Sequence, residues 1–380
     1  MGEVANIPQL RFPEFSNEWE ESKVGKVFKV SAGGDIKTEN VSQIKTDGFP
    51  YPIYANAEKA KGLYGYSNLY KSEANVVTVA GRGVNIGIAH VRLEPFYPIV
   101  RLLVLNPIKD ADVKFWENQL NQLNLFVEST GVPQLTAPQI SSYKVKYPSK
   151  PEQQKIAAFL TAVDNKIEQL SKKQELLGEY KKGLMQQIFS QAIRFKADDG
   201  SDFPDWEEKK LGDVSDCLDN RRQPLNGAER NQMKGDIPYY GANGIVDYVN
   251  DYIFDEELVL LAEDGGNFND FSSKPIAQKI SGKAWVNNHA HILKAKNIIA
   301  TDFLFYSLVH KDIRRYIVGG SRAKLNKSDL LSIKTILPPL EEQTKIANFL
   351  SSIDNKIEQV GKQLDESKQF KKALLQQMFV

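Results

Sequence analysis

Glu152-Gln153-Gln154-Lys155-Ile156-Ala157-Ala158-Phe159-Leu160, followed by Asp164-Asn165-Lys166-Ile167-Glu168-Gln169, returns 190 positions later as Glu342-Gln343-Thr344-Lys345-Ile346-Ala347-Asn348-Phe349-Leu350 and Asp354-Asn355-Lys356-Ile357-Glu358-Gln359. The match runs without a gap from Pro148–Phe189 to Pro338–Phe379, with about half of the positions identical. A repeat of this length marks a duplicated architecture, and every other segment has to be placed relative to it.

The period inside the repeat defines the unit. Apolar residues fall at Ile156, Leu160, Val163, Ile167, Leu170, Leu177, Leu184 and Ile188, alternating four and three, with polar interruptions at Gln174 and Lys181. The second copy runs Ile346, Leu350, Ile353, Ile357, Val360, Leu364, Leu374 and Met378, interrupted at Ser367 and Lys371. This is a heptad seam. At about 1.5 Å per residue each helix would be roughly 60 Å long, and a narrow apolar stripe needs a partner, for which the duplicate is the nearest candidate. Pro148 and Pro151 with Ser149 and Glu152 as a capping box, and Pro338-Pro339 before Glu341-Glu342, read as start signals. Gly178, Gly183 and Gly361 should weaken the helices locally.

The segments before the helices are duplicated more faintly. Leu10-Arg11-Phe12 and Ile193-Arg194-Phe195 precede Glu18-Trp19-Glu20 and Asp205-Trp206-Glu207. Gly25-Lys26-Val27 answers Gly212-Asp213-Val214, and Pro52-Ile53-Tyr54 answers Pro238-Tyr239-Tyr240. Between these markers the copies diverge, with insertions such as 268–286. The expected division is 1–147, 148–192, 193–337 and 338–380. The 380 residues fit two domains of roughly 150 plus two helices, and 41% hydrophobic content suffices for two cores. Strands are expected near Val76–Ala80, Ile99–Leu105, Leu258–Ala262 and His291–Lys294, and helices near Phe115–Val127 and Asp302–Ile317. Each domain therefore reads as mixed α/β.

Composition narrows the function. The lone Cys217 excludes an internal disulfide framework and fits a reducing cytosol, no apolar run reaches the length of a membrane span, and Asn6 stands where myristoylation prefers Ser or Thr. The net charge of +1 advertises no global phosphate-binding surface. No phosphate-cradling Gly-x-x-x-x-Gly-Lys loop is present, nor an Asn-Pro-Pro-aromatic or Asp-Pro-Pro-Tyr methyltransferase stretch. Pro204-Asp205 with Glu207-Glu208-Lys209 echoes a nuclease pattern, but its spacing is too tight to offer two carboxylates from separate strands. His289 and His291 alternate on one strand face without a third ligand in range, which favours hydrogen bonding over metal binding. No catalytic or metal residue is assigned.

Polar loops are the remaining candidates. Arg82 and Asn85 in Gly81–Gly87 could read base edges, and the glycines allow close backbone approach; a plain turn with a solvated arginine is the competing reading. Tyr54-Ala55-Asn56 and Tyr240-Gly241-Ala242-Asn243-Gly244 are matching turns, whose Asn56 and Asn243 could equally hold a positive φ. Arg221-Arg222-Gln223, and Arg322 and Lys324 within 319–327, are the basic loops of the second half, each with a solvated face as its alternative.

The alternation of variable domain and heptad helix resembles the specificity subunit of type I restriction-modification systems over the whole chain. The resemblance rests on Leu10-Arg11-Phe12-Pro13-Glu14-Phe15 through Trp19, on Pro148 with Glu152-Gln153 and Pro338-Pro339 with Glu342-Gln343, and on the paired Asp-Asn-Lys-Ile-Glu segments. Tyr240–Gly244, Ala262-Glu263-Asp264-Gly265 and Asn287-Asn288-His289 resemble stretches of its target recognition domains, whereas the first half has Tyr54–Ala57 and the Arg82 loop instead. The resemblance implies an α+β fold: two mixed α/β target recognition domains separated by two long antiparallel coiled-coil helices with internal pseudo-two-fold symmetry. It implies a non-catalytic chain that reads a bipartite, asymmetric target in double-stranded DNA, with Tyr54, Asn56, Arg82, Asn85, Arg221, Arg222, Asn243, Arg322 and Lys324 as candidate contacts. The implied partners are two modification subunits and two restriction subunits, and S-adenosylmethionine, ATP and magnesium would belong to them. Half-sites on one face of B-DNA lie about 34 Å apart per turn, within reach of helices this long. The alternatives are a self-associating coiled-coil scaffold or adhesion protein and, less compatible with the missing motifs, a self-sufficient nuclease or methyltransferase.

Overall fold

The computed structural model describes residues 7–57, 59–123, 125, 133–320 and 323–380. The chain divides into two compact units, residues 1–172 with 361–380, and residues 173–360.

In the first unit, strands β1 (Phe28–Ala32), β2 (Tyr51–Tyr54), β3 (Leu63–Ser67), β4 (Val76–Val79), β5 (Ala89–Arg92), β6 (Tyr97–Pro98) and β7 (Leu103–Pro107) build two four-stranded sheets. The first is antiparallel in the order β1-β7-β4-β5. The second runs from Val41–Ser42 through β3 and β2 to β6, with β2 and β6 parallel. All four residues of β4 are buried, as expected of an apolar run in mid-sheet. Helix α1 (Val113–Asn121) covers the first sheet; its N-cap Asp112 accepts from the backbone of Lys114 and Phe115, each at 3.0 Å. Its Phe115 and Trp116 join Val77, Val79, Leu103 and Leu105 in one core.

Helix α2 (Lys150–Phe189) is unbroken through Gly178 and Gly183, where an added Cβ would meet nothing within 4 Å. Ile156 and Leu160 at its start pack into the first core together with Leu374 and Met378, from the end of the last long helix. The start of one helix against the end of the other is the antiparallel arrangement the seam implied.

The second unit repeats the plan. Strands β8 (Ser215–Cys217), β9 (Lys234–Gly241), β10 (Gly244–Val249), β11 (Leu258–Ala262), β12 (Ala277–Ile280), β13 (Lys283–Val286) and β14 (Ala290–Ala295) form an antiparallel sheet β8-β14-β11-β12 and a second sheet β10-β9-β13 extended by Phe254–Asp255, again with one parallel pair, β9 and β13. Helix α3 (Thr301–Leu308) takes the place of α1. Helix α4 (Leu340–Met378) begins here: its Ile346 and Leu350 pack with Met185 and Ile188 of α2 against Phe303 and Leu304.

Four expectations change. Residues 277–286 are not an insertion: β12 and β13 match β5 and β6, and divergent side chains had hidden the shared pairing. The strand expected from Ile99 begins only at Leu103, because Val100 and Arg101 take φ of 52° and 57°, outside the extended region. The helix expected to reach Ile317 ends at Leu308, and Ile317–Val318 is a short strand. That expected to Val127 ends at Asn121; Val127 lies outside the described residues. Among the described residues no helix is long and apolar enough to cross a membrane.

Glu152 was expected to close a capping box. Instead its buried carboxylate receives Arg11 Nε and Nη2 at 2.7 and 2.8 Å, with Trp19 Nε1 at 3.4 Å. Glu342, Arg194 and Trp206 repeat the arrangement in the second unit. The adjoining Gln153 and Gln343 accept from the backbone of Asp112 and Ala300 and donate to the carbonyls of Pro148 and Pro338. Each helix start is thereby stitched to its own domain.

Candidate nucleic-acid interface

Parallel pairing of β2 with β6 and of β9 with β13 brings the ends of these strands together, and the strand after each follows a loop that joins them. In the first unit Ile99 N donates to Tyr54 O at 2.9 Å. Asn56 then bridges two loops: its Oδ1 accepts from Gly81 N at 2.8 Å and its Nδ2 donates to Val100 O at 2.5 Å. Asn85 Nδ2 donates to Asn56 O at 3.2 Å. Leu135 N donates to Gly81 O at 2.9 Å, and Arg82 Nη2 reaches Gln134 Oε1 at 3.2 Å. Gly81 is required here, since a Cβ would lie 2.9 Å from Arg101 O and 3.0 Å from Leu135 O.

The second unit assembles the same frame from different residues. Asn287 N donates to Tyr240 O at 3.0 Å, Glu263 N to His289 O at 2.8 Å, and Leu325 N to Glu263 O at 2.7 Å. Asn243 Nδ2 donates to Gly265 O at 2.8 Å. Asn243, Gly244, Val246, Asp264, Asn287 and His289 line a shallow hollow. The positive φ named as the asparagines' alternative role falls instead on Gly62 and Gly244.

Several candidates support these loops rather than face outward. Tyr54 is half-buried beneath the guanidinium of Arg92, 3.5 Å from its ring centroid, and burial raises its hydroxyl pKa. Arg221 pairs with Glu256 at 2.8 Å over the Phe254 ring. Arg222 is largely buried, spanning Glu263 at 2.5 Å, Asp219 at 3.4 Å and the Ala290 carbonyl at 2.9 Å. A basic dipeptide in a loop looked solvated because two of its acidic partners, Glu256 and Glu263, are remote in sequence. Arg82, Asn85, Asn243 and Lys324 do sit at the loop ends; Lys324 pairs with Glu263 at 3.0 Å. Arg322 lies outside the described residues.

Two features were missed, and a third, His291, has the hydrogen-bonded role expected of it but is far more enclosed than its sequence suggested. Arg92, 4% exposed, donates to Thr78 Oγ1 at 2.9 Å and to Lys61 O at 2.7 Å, bracing a turn in which Ala60 and Lys61 have φ of 51° and 53°. An arginine in an alternating strand gave no sign of burial. Val100 and Arg101 are a second left-handed pair, costing on the order of 1–3 kcal/mol each, and β-branched Val100 is 49% exposed there. His291 is fully enclosed, its Nδ1 2.6 Å from Asp219 and its Nε2 2.8 Å from Leu325 O. Burial opposes its charge, but the bonds to Asp219, Cys217 and the Leu325 carbonyl prevail and hold its pKa up at about 9. Cys217, Asp219 and His291 are close enough to hold an ion, but Arg222 already lies against the same carboxylate.

Each unit thus ends in a cluster of polar loops held by backbone bonds on a rigid sheet, the usual construction of a recognition surface. The family model for the type I restriction modification DNA specificity domain matches residues 16–177 and again 204–367. A Haemophilus influenzae protein named as a type I restriction enzyme specificity subunit is 38% identical over 148 residues, spanning 39% of this chain but only 37% of that protein. The MjaVIII specificity subunit of Methanocaldococcus jannaschii is 28% identical over 313 residues, covering 73% of this chain and 71% of its own. The crystal structure of a type I S subunit from M. genitalium shares the fold at 18% identity, with a TM-score of 0.70 over 98% of this chain and 99% of that one. The chain belongs to the specificity-subunit family of type I restriction-modification systems and carries that family's DNA specificity domain twice.

Proposed function

We propose that each domain reads one half of a split target in double-stranded DNA, and that the chain delivers two modification and two restriction subunits to it. The carrying observation is the matched pair of loop clusters: one backbone frame, in which Ile99 and Asn287 donate to the carbonyls of Tyr54 and Tyr240 and Leu135 and Leu325 donate to those of Gly81 and Glu263, presents different side chains. Identical frames with different groups suit two different half-sites. Methyl transfer, translocation and cleavage would rest with the partners, which would bind S-adenosylmethionine, ATP and magnesium. The scaffold reading is disfavoured because the ends of both apolar seams pack into the cores of this chain's own domains. Co-expression with a candidate modification subunit, followed by methylation of randomised duplexes, should return a two-part motif. Methyl transfer by the chain alone would overturn the assignment.

A further inference from the structure

The two loop clusters can be superposed by their hydrogen bonds. Ile99 and Asn287 both donate to the tyrosine that ends the neighbouring strand, so Arg101 corresponds to His289. Leu135 and Leu325 donate to the carbonyls of Gly81 and Glu263, and isolated bridges join Arg82 to Gln134 and Asp264 to Lys324. Three positions are therefore equivalent: Arg82, Arg101 and Gln134 in the first domain, and Asp264, His289 and Lys324 in the second.

Their chemistry is opposed. The first domain offers two guanidiniums, which only donate. Arg101 is exposed, its side chain bonds to no described residue, and its backbone is locked in the left-handed region by bonds from Val100 N to Gly34 O and from Arg101 N to Gly33 O. The second domain places Asp264 at the matching rim. His289 Nδ1 holds its Oδ1 at 2.5 Å, which leaves the other carboxylate oxygen as an acceptor.

We infer that these three matched positions are the specificity-determining rim of each domain, and that Arg101 reads a guanine in one half-site while Asp264 reads the exocyclic amino group of a cytosine in the other. The inference rests on the reading that each domain binds duplex DNA. Guanine shows the acceptors N7 and O6 in the major groove, which suit an arginine fork; cytosine shows a single N4 donor, which suits a carboxylate. Arg82 is partly engaged by Gln134.

The test uses the full chain assembled with its modification subunit, a randomised duplex library and sequencing of the methylated products. Arg101→Ala should lower the preference for guanine at one position of one half-site by about tenfold or more and leave the other half-site intact. Arg101→Lys, which retains the charge but not the fork, should lose the same preference. Asp264→Asn should relax cytosine selection in the other half-site alone. Unchanged motifs with uniformly weaker methylation would mean that these residues touch phosphates only, and would overturn the inference. An unmodified chain with no sequence preference at all would instead remove the reading on which it rests.

Discussion

Lys371 Nζ lies 2.6 Å from Asp164 Oδ1 in the first unit, and Lys181 Nζ lies 2.6 Å from Asp354 Oδ1 in the second. These lysines interrupt the apolar seam, and the aspartates open the repeated Asp-Asn-Lys-Ile-Glu segment. An interruption that looks like a fault in either helix alone is thus the partner of a charge on the other. Such a pair fixes register more than it adds stability.

Reversing one member, Lys371→Asp, should cost about 1 kcal/mol, since both groups are partly solvated. Asp164→Lys in the same chain should restore most of it. A thermal-melt double-mutant cycle with no coupling would contradict the pairing.

Glu152→Ala should cost more, about 3 kcal/mol, because it strands the Arg11 guanidinium, only 10% exposed, and frees the Trp19 indole. Glu152→Leu with Arg11→Met should recover much of that loss. Urea unfolding of the single and double variants checks this; equal instability in both would show that the cost is packing and not an uncompensated charge.

His291 sets a pH dependence. Its folded pKa of about 9 lies above the ordinary 6.5, so its contribution, of order 2–3 kcal/mol, is complete below about pH 6.5 and disappears as pH rises through 9. Asp219 is depressed, burial opposing the shift and its bond to His291 leading it, so its share is lost in acid. Urea midpoints of the wild-type chain should fall from pH 6.5 to 10, and His291→Gln should flatten that slope. A parallel decline in the variant would assign the effect elsewhere.

Asn56→Ala should remove two bonds that hold the Gly81 and Val100 loops, at about 1–2 kcal/mol, and blur only the half-site read by the first domain. Methylome sequencing in which both half-sites changed would argue against separate reading.

Tyr180 and Phe370 stand 190 residues apart, at matched positions on α2 and α4, and are 56% and 53% exposed. Large exposed aromatics at duplicated sites suit duplicated partners. Alanine at both should weaken capture of the modification subunit at least tenfold in pull-down or calorimetry while leaving the chain's own melting point within about 1 °C. Unimpaired assembly would place the contact elsewhere.

The helices and their pairing were legible because a heptad seam is a local pattern that repeats. The recognition loops were legible only in part. Gly81 and Arg82 stood out by composition, but the pairing of Arg222 with Glu263, the bond of His291 to Asp219 and that of Arg92 to Lys61 join residues tens of positions apart. Val100 and Arg101 were hidden most thoroughly, since a β-branched residue within an apolar run reads as strand and its left-handed turn is imposed by Asn56, Gly33 and Gly34. Glu152 and Glu342 show the converse: the residues were conspicuous, and their role was misread because the arginine partners lie more than a hundred positions upstream.

The Arg–Glu–Trp joint at the head of each helix also bears on inheritance. Its three side chains come only from the entry segment and the first turn of the helix, and none of the loops proposed to read DNA takes part. A gene fragment coding for everything between Trp19 and Pro148, or between Trp206 and Pro338, can be exchanged without touching the joint, provided that it brings a matching core and a backbone donor like that of Asp112 or Ala300. The joint works as a standard fitting that stays the same in both halves while the domain it holds differs.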